Sequence, residues 1–138
     1  MKIFLDANIL VSVLNKEYPV FTHSSRVLSL ADSSKFKLYT SPLYLAIAFY
    51  FAEKKSGNAG ARHKINLLAE KLRFTSITER TVMEVNKNKK IHDLEDGLQY
   101  YSALESGCKC IVTEDLSDFY FSEMEVLSSR QFLEQHVF

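Results

Sequence analysis

Short apolar runs alternate along this chain with longer stretches of helical periodicity, and that alternation limits the fold more than any other feature. KIFL at residues 2–5, KFKLYT at 35–40, FTSIT at 74–78, KCIVT at 109–113 and EVLS at 125–128 read as strands. Between them lie helical patterns: ILVSVLN, Val20 to Ala31, SPLYLAIAFYFAEKK, ARHKINLLAEKLRF, ERTVMEVNKNKK, DLEDGLQYYSALESG and, last, SRQFLEQH. Strand runs that are apolar throughout need cover on both faces, and helices returning between parallel strands supply it. The expectation is an α/β fold, a three-layer α/β/α sandwich with a mainly parallel central sheet, as one domain over residues 1–138.

Several boundaries carry their own signals. Ser41 and Pro42 open a helix as cap and first-turn proline. That helix is apolar almost all round and is expected to be buried. SGNAG at 56–60 is the clearest break and predicts a loop or hinge. Gly107 stands where glycine ends helices.

The composition is that of an ordinary globule, 46% apolar and 25% charged. Lys plus Arg and Asp plus Glu both number 17, so nucleic-acid affinity must come from local patches and not from net charge. No run approaches the roughly 18 apolar residues of a membrane span. The N-terminus lacks signal-peptide order because Asp6 interrupts it, so no membrane association and a cytoplasmic location are expected. Cys108 and Cys110 sit two apart in a strand-like run and read as small buried hydrophobes, and the four histidines are scattered without metal-ligand spacing.

The chemistry therefore rests on acids. KIFL runs straight into Asp6-Ala7-Asn8, and this admits two readings. Asp6 or Asn8 caps the helix that follows, or the strand delivers a carboxylate to the sheet edge where open α/β proteins bind ligands. Glu114 and Asp115 end KCIVT, and Asp93 and Asp96 lie one turn apart where DLEDGLQYY begins. Asp93 considered alone reads as a cap, and Asp115 as a turn residue. If the first and fourth strands are neighbours, however, Asp6 and Asp115 meet at one rim and the Asp96 helix completes the cluster. Carboxylates gathered without Lys or Arg repel one another, and a hard divalent cation relieves this.

Taken together, strand-DAN near the start and DLEDGLQYYSALESGCKCIVTEDLSDF near the end resemble the PIN domains, along nearly the whole chain. Those nucleases share a strand ending in Asp-x-Asn, here Asp6 and Asn8. They share a helix opening with Asp and Ala or Gly, here Asp96-Gly97, then a strand ending in Thr-x-Asp and a further Asp-Phe. Here the last two are Thr113-Glu114-Asp115 and Asp118-Phe119. DLEDGLQYYSALESG looks like the bacterial branch containing VapC-type toxins. The resemblance implies an Mg²⁺- or Mn²⁺-dependent endoribonuclease, homodimeric and inhibited by an antitoxin protein. Asp6, Asp96 and Asp115 are then the catalytic metal ligands, with Thr113 supporting the site, Asn8 orienting Asp6, and Asp93, Glu114 or Asp118 as auxiliaries.

One position departs from that pattern. Many relatives place a glutamate on the helix after the second strand, in S-x-x-x-L-x-E, and counting from Ser41 the matching residue is Ile47. Glu53 is the first acid on that helix, but six residues at ~100° each turn it well away from Ile47. RNA would reach an acidic site only along basic residues, and Lys54, Lys55, Arg62, Lys64, Lys87, Lys89 and Lys90 are the candidates. For most of these a solvated helix face is the favoured reading. Tyr44, Tyr50, Tyr100 and Tyr101 read as core packing, with base stacking as the other use. Two other reactions fit poorly. A haloacid-dehalogenase-type phosphatase needs Asp-x-Asp, and a response-regulator receiver needs a middle-strand Asp and a late-strand Lys that KLYTS and CIVTED do not supply. The rival reading is a PIN-like module whose metal site has decayed at Ile47 and which binds RNA or a protein partner.

Overall fold

The structure is a computed structural model that describes residues 1–138. Five strands, β1 (Lys2–Leu5), β2 (Lys37–Thr40), β3 (Arg73–Phe74), β4 (Cys110–Val112) and β5 (Glu125–Leu127), form one sheet in the order β3-β2-β1-β4-β5, every pair parallel. Ile3, Phe4 and Leu5 of β1 and Ile111 and Val112 of β4 are fully buried, which is what the unbroken apolar runs require of central parallel strands. Six helices flank the sheet: α1 (Ala7–Leu14), α2 (Phe21–Ser29), α3 (Pro42–Ala69), α4 (Glu79–Lys87), α5 (Leu94–Glu105) and α6 (Ser129–His136). α1 packs against α2 and α3, α2 against α6, and α4 against α5. This is the expected α/β/α sandwich.

The order of the strands locates the working edge. From β1 the chain steps outward to β2 and β3 on one side, then crosses back to β4 and β5 on the other. The order in which strands are added from the centre therefore reverses between β1 and β4, and the helices leaving their carboxyl ends diverge there. Such a switch point leaves a crevice at the strand ends. The register pairs Leu5 with Val112, so Asp6 and Thr113 emerge side by side at that crevice.

Three expectations about elements are sharpened or corrected. The break at residues 56–60 is present, as a kink at one residue rather than a loop of five: two helical segments meet at Gly57, which at φ 74° and ψ 171° leaves helical geometry. Glycine tolerates this left-handed φ because it has no Cβ. Secondly, α3 is not buried all round. Tyr44, Ala48 and Ala52 form its buried stripe, spaced at four residues, while Leu43, Tyr50 and Phe51 are exposed. The two alanines bring α3 close to α1, so the small side chains and not the large ones define its packed face. Thirdly, the edge strand is Arg73–Phe74 rather than 74–78, because α3 stops at Ala69 and Thr78 is spent capping α4. No helix is long and apolar enough to cross a membrane. Cys108 and Cys110 are buried free thiols, both pushed up to about 12 by burial, so they stay protonated and serve as packing.

Candidate metal centre

Asp6 occupies the position before α1 with extended backbone, yet its side chain makes no capping bond. Four other helices show what a working cap does here. Ser41 accepts from the Tyr44 amide, Thr78 from Thr81, Asp93 from Asp96 at 2.9 Å, and Ser128 from Gln131. Asp6 instead turns towards β4, where the Thr113 hydroxyl donates to its Oδ2 at 2.6 Å. The capping reading thus fails for Asp6 and holds for Asp93.

Thr113 ties this side of the crevice together. Its buried hydroxyl donates to Asp6 and accepts from the Asp115 amide at 3.0 Å and from Asn8 Nδ2 at 3.2 Å. One donor and two lone pairs are all it has, so its hydrogen-bonding capacity is full. Asn8 Nδ2 also lies 3.3 Å from Asp115 Oδ2 and 3.5 Å from Asp6 Oδ2, and Asn8 Oδ1 accepts from the Glu114 amide. Asn8 was expected to orient Asp6, and it donates to Asp6 by the longer bond at 3.5 Å while also bridging to Asp115; Thr113 makes the short bond that holds Asp6.

Asp96 reaches the same crevice from the first turn of α5. Gly97 beside it sets how deep that helix sits: a Cβ there would lie 2.8 Å from both Ile91 Cγ2 and Val85 Cγ1. The small residue after Asp96 therefore has a packing reason, the close approach of α5 to α4 and the loop between them.

The resulting cleft, of about 420 Å³, is lined by Asp6, Asn8, Glu17, Glu95, Asp96, Asp115 and Asp118 together with Ala7, Val11, Tyr44, Ile47 and Phe51. It holds six carboxylates and no cationic side chain. Burial, against the pull of Thr113 and the Ala7 backbone, pushes the Asp6 carboxyl up to about 6, and Asp115 and Asp118 add to the rise. Burial and then the charges of Asp93, Asp118, Asp6 and Glu95 push Asp96 up to about 7. Asp118 is raised by burial and by Asp115 and Asp93. Burial raises the Tyr44 phenol as well, which keeps its hydroxyl protonated beside the acids. Three separate elements thus deliver acids whose charges oppose one another. No three Asp, Glu, His or Cys side chains converge closely enough to hold a metal ion unaided.

The remaining sequence candidates fall outside. Asp93 is spent on the α5 cap and influences Asp96 through its charge. Glu114 turns away, its Oε1 accepting from the amide and hydroxyl of Ser129 in α6. Glu53 accepts from Asn58 Nδ2 at 2.8 Å and does not reach the cleft, whereas Ile47 forms part of its wall. None of the basic residues lines the cleft. Lys54 lies over the Tyr50 ring at 4.3 Å, Lys55 donates to the Asn15 carbonyl, Lys64 donates to Ser56, and Lys87 pairs with Glu84 at 3.8 Å. Arg62 borders an apolar groove with Leu45, Phe49 and Ile65, while Lys89 and Lys90 are exposed in the turn before α5. Tyr44 and Tyr100 are core residues as expected, but Tyr50 is exposed. Glu17 and Glu95 were missed. Glu95 sits next to Asp96 in a run of acids and could have been suspected, but nothing near Glu17, in the turn after α1, signals its place at the cleft.

Comparison with known proteins agrees with this geometry. The family model described as PIN domain matches residues 2–117. Ribonuclease VapC1 of Aquifex aeolicus (strain VF5) is 30% identical over 138 residues, covering 97% of this chain and 94% of that protein. Two VapBC structures superpose with TM-scores of 0.69. VapBC2 of Rickettsia felis, bound to a promoter DNA fragment, is 18% identical and covers 93% of this chain and 98% of its own. VapBC-1 of nontypeable Haemophilus influenzae is 19% identical and covers 94% and 99%. Mycobacterium tuberculosis VapC20, a toxin that cleaves the sarcin–ricin loop, superposes at 0.65 with 18% identity over 89% of this chain and 98% of its own. A matched family model over most of the chain, a ribonuclease relative along nearly its full length and acids gathered at the β1/β4 switch point agree: the chain belongs to the PIN domain family.

Proposed function

We propose that this chain is a metal-dependent endoribonuclease that hydrolyses RNA phosphodiesters in the acidic cleft and acts as the toxin of a toxin–antitoxin pair. The observation that carries the reading is Asp6, a carboxylate at a helix start that forgoes its cap to join Asp96 and Asp115 in a site without cations. The named ribonuclease relative supports the reaction, and the VapBC structures support an antitoxin partner. A second copy of the chain is part of the same proposal.

The donor set suits Mg²⁺ or Mn²⁺: oxygen ligands, a surplus of negative charge and carboxyls pushed up by burial and then by one another's charge. Mg²⁺ keeps several waters and takes one or two carboxylates, so three convergent acids are not required. One or two of Asp6, Asp96 and Asp115 would bind the ion directly and the rest through its waters, and when bound it would supply an acidic water and neutralise phosphate charge. The protein does the rest. Thr113 fixes the Asp6 carboxyl in one rotamer, Asn8 fixes Asp115, and Asp118, an exposed carboxylate of the cleft lining, would accept the proton of an attacking water. Ile47, Val11 and Phe51 make the opposite wall apolar and thin the water around the reacting phosphate.

The test is cleavage of a labelled mixed RNA pool in Mg²⁺, Mn²⁺ or EDTA, with Asp96→Asn prepared identically. Cleavage that needs metal and is lost in the variant is expected; equal, metal-insensitive traces in both would overturn the reading. Ile47 in the wall favours one rival, a binding module with a decayed site. Ile47→Glu decides between them. Gain of cleavage from an inactive parent would indicate decay, while an active parent shows that the three acids suffice.

A further inference from the structure

Beside the acidic cleft lies a larger cavity of about 810 Å³ that the chemistry above does not use. Its lining is chiefly aromatic, with His92, Tyr100, Tyr101, Tyr120 and Phe121, and its charged residues are one of each sign, Lys90 and Glu123. We propose that this cavity is a nucleobase subsite, in which a base of single-stranded RNA flanking the scissile phosphate stacks on Tyr120. The proposal rests on the nuclease reading for its substrate.

Tyr120 is 56% exposed, yet its hydroxyl is already committed, accepting from the His92 amide at 3.1 Å and donating to the Lys90 carbonyl. A tyrosine anchored in this way has only its ring left to offer. The His92 ring stacks against it at 5.7 Å and 24°, and Phe121 meets it edge-on at 5.3 Å and 89°. The floor is rigid too, since Tyr100 packs edge-on against Phe121 at 5.3 Å and its hydroxyl accepts from the Glu123 amide. The ring plane is thus set before any ligand arrives, which lowers the ordering cost of binding. Every base has a π-face, so such a platform accepts single-stranded RNA with little sequence demand, and Lys90 at the rim supplies charge for its backbone.

Continuity with the cleft selects RNA as the occupant. Tyr120 is two residues beyond Asp118, a stretch that spans at most about 7 Å. On the other side His92 directly precedes Asp93, the cap of the helix that carries Asp96. The two segments that bring Asp96 and Asp118 to one pocket therefore bring His92 and Tyr120 to the next.

The test uses full-length protein and single-stranded RNA with 2-aminopurine at one fixed position between randomised flanks. Cleavage is followed with the native sequence, and quenching of 2-aminopurine fluorescence with Asp96→Asn. Tyr120→Ala is expected to abolish the quench and raise KM roughly 5- to 100-fold, the contribution of one stacked base, with kcat little changed. Tyr120→Phe, which keeps the ring, is expected to retain the quench and guards against a folding artefact. Cleavage without quenching, or quenching unchanged in Tyr120→Ala, would overturn the subsite and leave the nuclease. Quenching without cleavage would uphold the subsite and overturn the nuclease, and neither signal would overturn both.

Discussion

The cleft has two walls of different construction. On the strand side, Asp6, Asn8, Thr113 and Asp115 are joined by hydrogen bonds that leave each side chain one arrangement. On the helix side, Tyr44, Ile47 and Phe51 of α3 and Asp96 of α5 share no such bonds and are placed by the packing of whole helices. The strand wall is rigid because it is short and local to the sheet edge, where register alone brings Asp6 and Thr113 together. The helix wall can change composition without disturbing it. An isoleucine can stand at position 47 while the three acids keep their places.

Removing a carboxylate from either wall is the most severe way to break this comparison. Asp6→Asn and Asp96→Asn are each expected to reduce RNA cleavage by more than roughly 100-fold, beyond what supporting residues usually cost. A large loss from one and none from the other, in single-turnover assays, would mean that only one wall takes part. Thr113→Val tests the strand wall from behind. It removes the shortest hydrogen bond to Asp6, so the Asp6 carboxyl should titrate above about 6 by NMR, and cleavage should fall roughly 10- to 100-fold. An unchanged Asp6 titration would show that the network is not what holds that carboxylate.

The helix wall has a packing test. Gly97→Ala puts a Cβ 2.8 Å from Val85 and Ile91, so α5 must shift, and a loss of roughly 1–3 kcal/mol in urea unfolding is expected. No loss would mean that α5 sits less tightly than described. The smallest effect is on pH dependence. Asp6 and Asp96 carry protons in the folded protein up to about pH 6 and 7 but lose them near 3.8 when unfolded. The folded state therefore binds more protons through that window, and stability falls as pH rises from about 4 to 7. Mg²⁺ should restore part of it at pH 8, and Asp96→Asn should flatten the dependence. Unfolding midpoints at pH 5 and pH 8 with and without Mg²⁺ read both, and stability rising with pH would contradict the account.

The same division explains what could be read from the sequence. Asp6, Asp96 and Asp115 stand at strand ends or a helix start, so alternation and strand order suffice to predict that they line one cleft. Residues whose position depends on how helices settle were harder. α3 looked buried all round because composition cannot show that Ala48 and Ala52, not Tyr50 and Phe51, face α1. Glu17 reaches the cleft from a turn with no pattern of its own. SGNAG looked like a loop because two glycines within five residues usually end a helix, yet only Gly57 takes a non-helical φ, and the helix resumes after it. The departure at Ile47 was legible because it concerns a residue identity, and the structure shows why it matters by placing that side chain in the wall.

The most direct test of the central claim, that both walls share one divalent ion, is Mn²⁺ titrated into isotope-labelled protein while amide resonances are followed by NMR. The account predicts that amides around Asp6, Asn8 and Asp115 on one wall and Asp96 on the other broaden together at the lowest Mn²⁺ concentrations, and that Asp96→Asn removes this. Broadening confined to one wall, or appearing first away from the cleft, would contradict it.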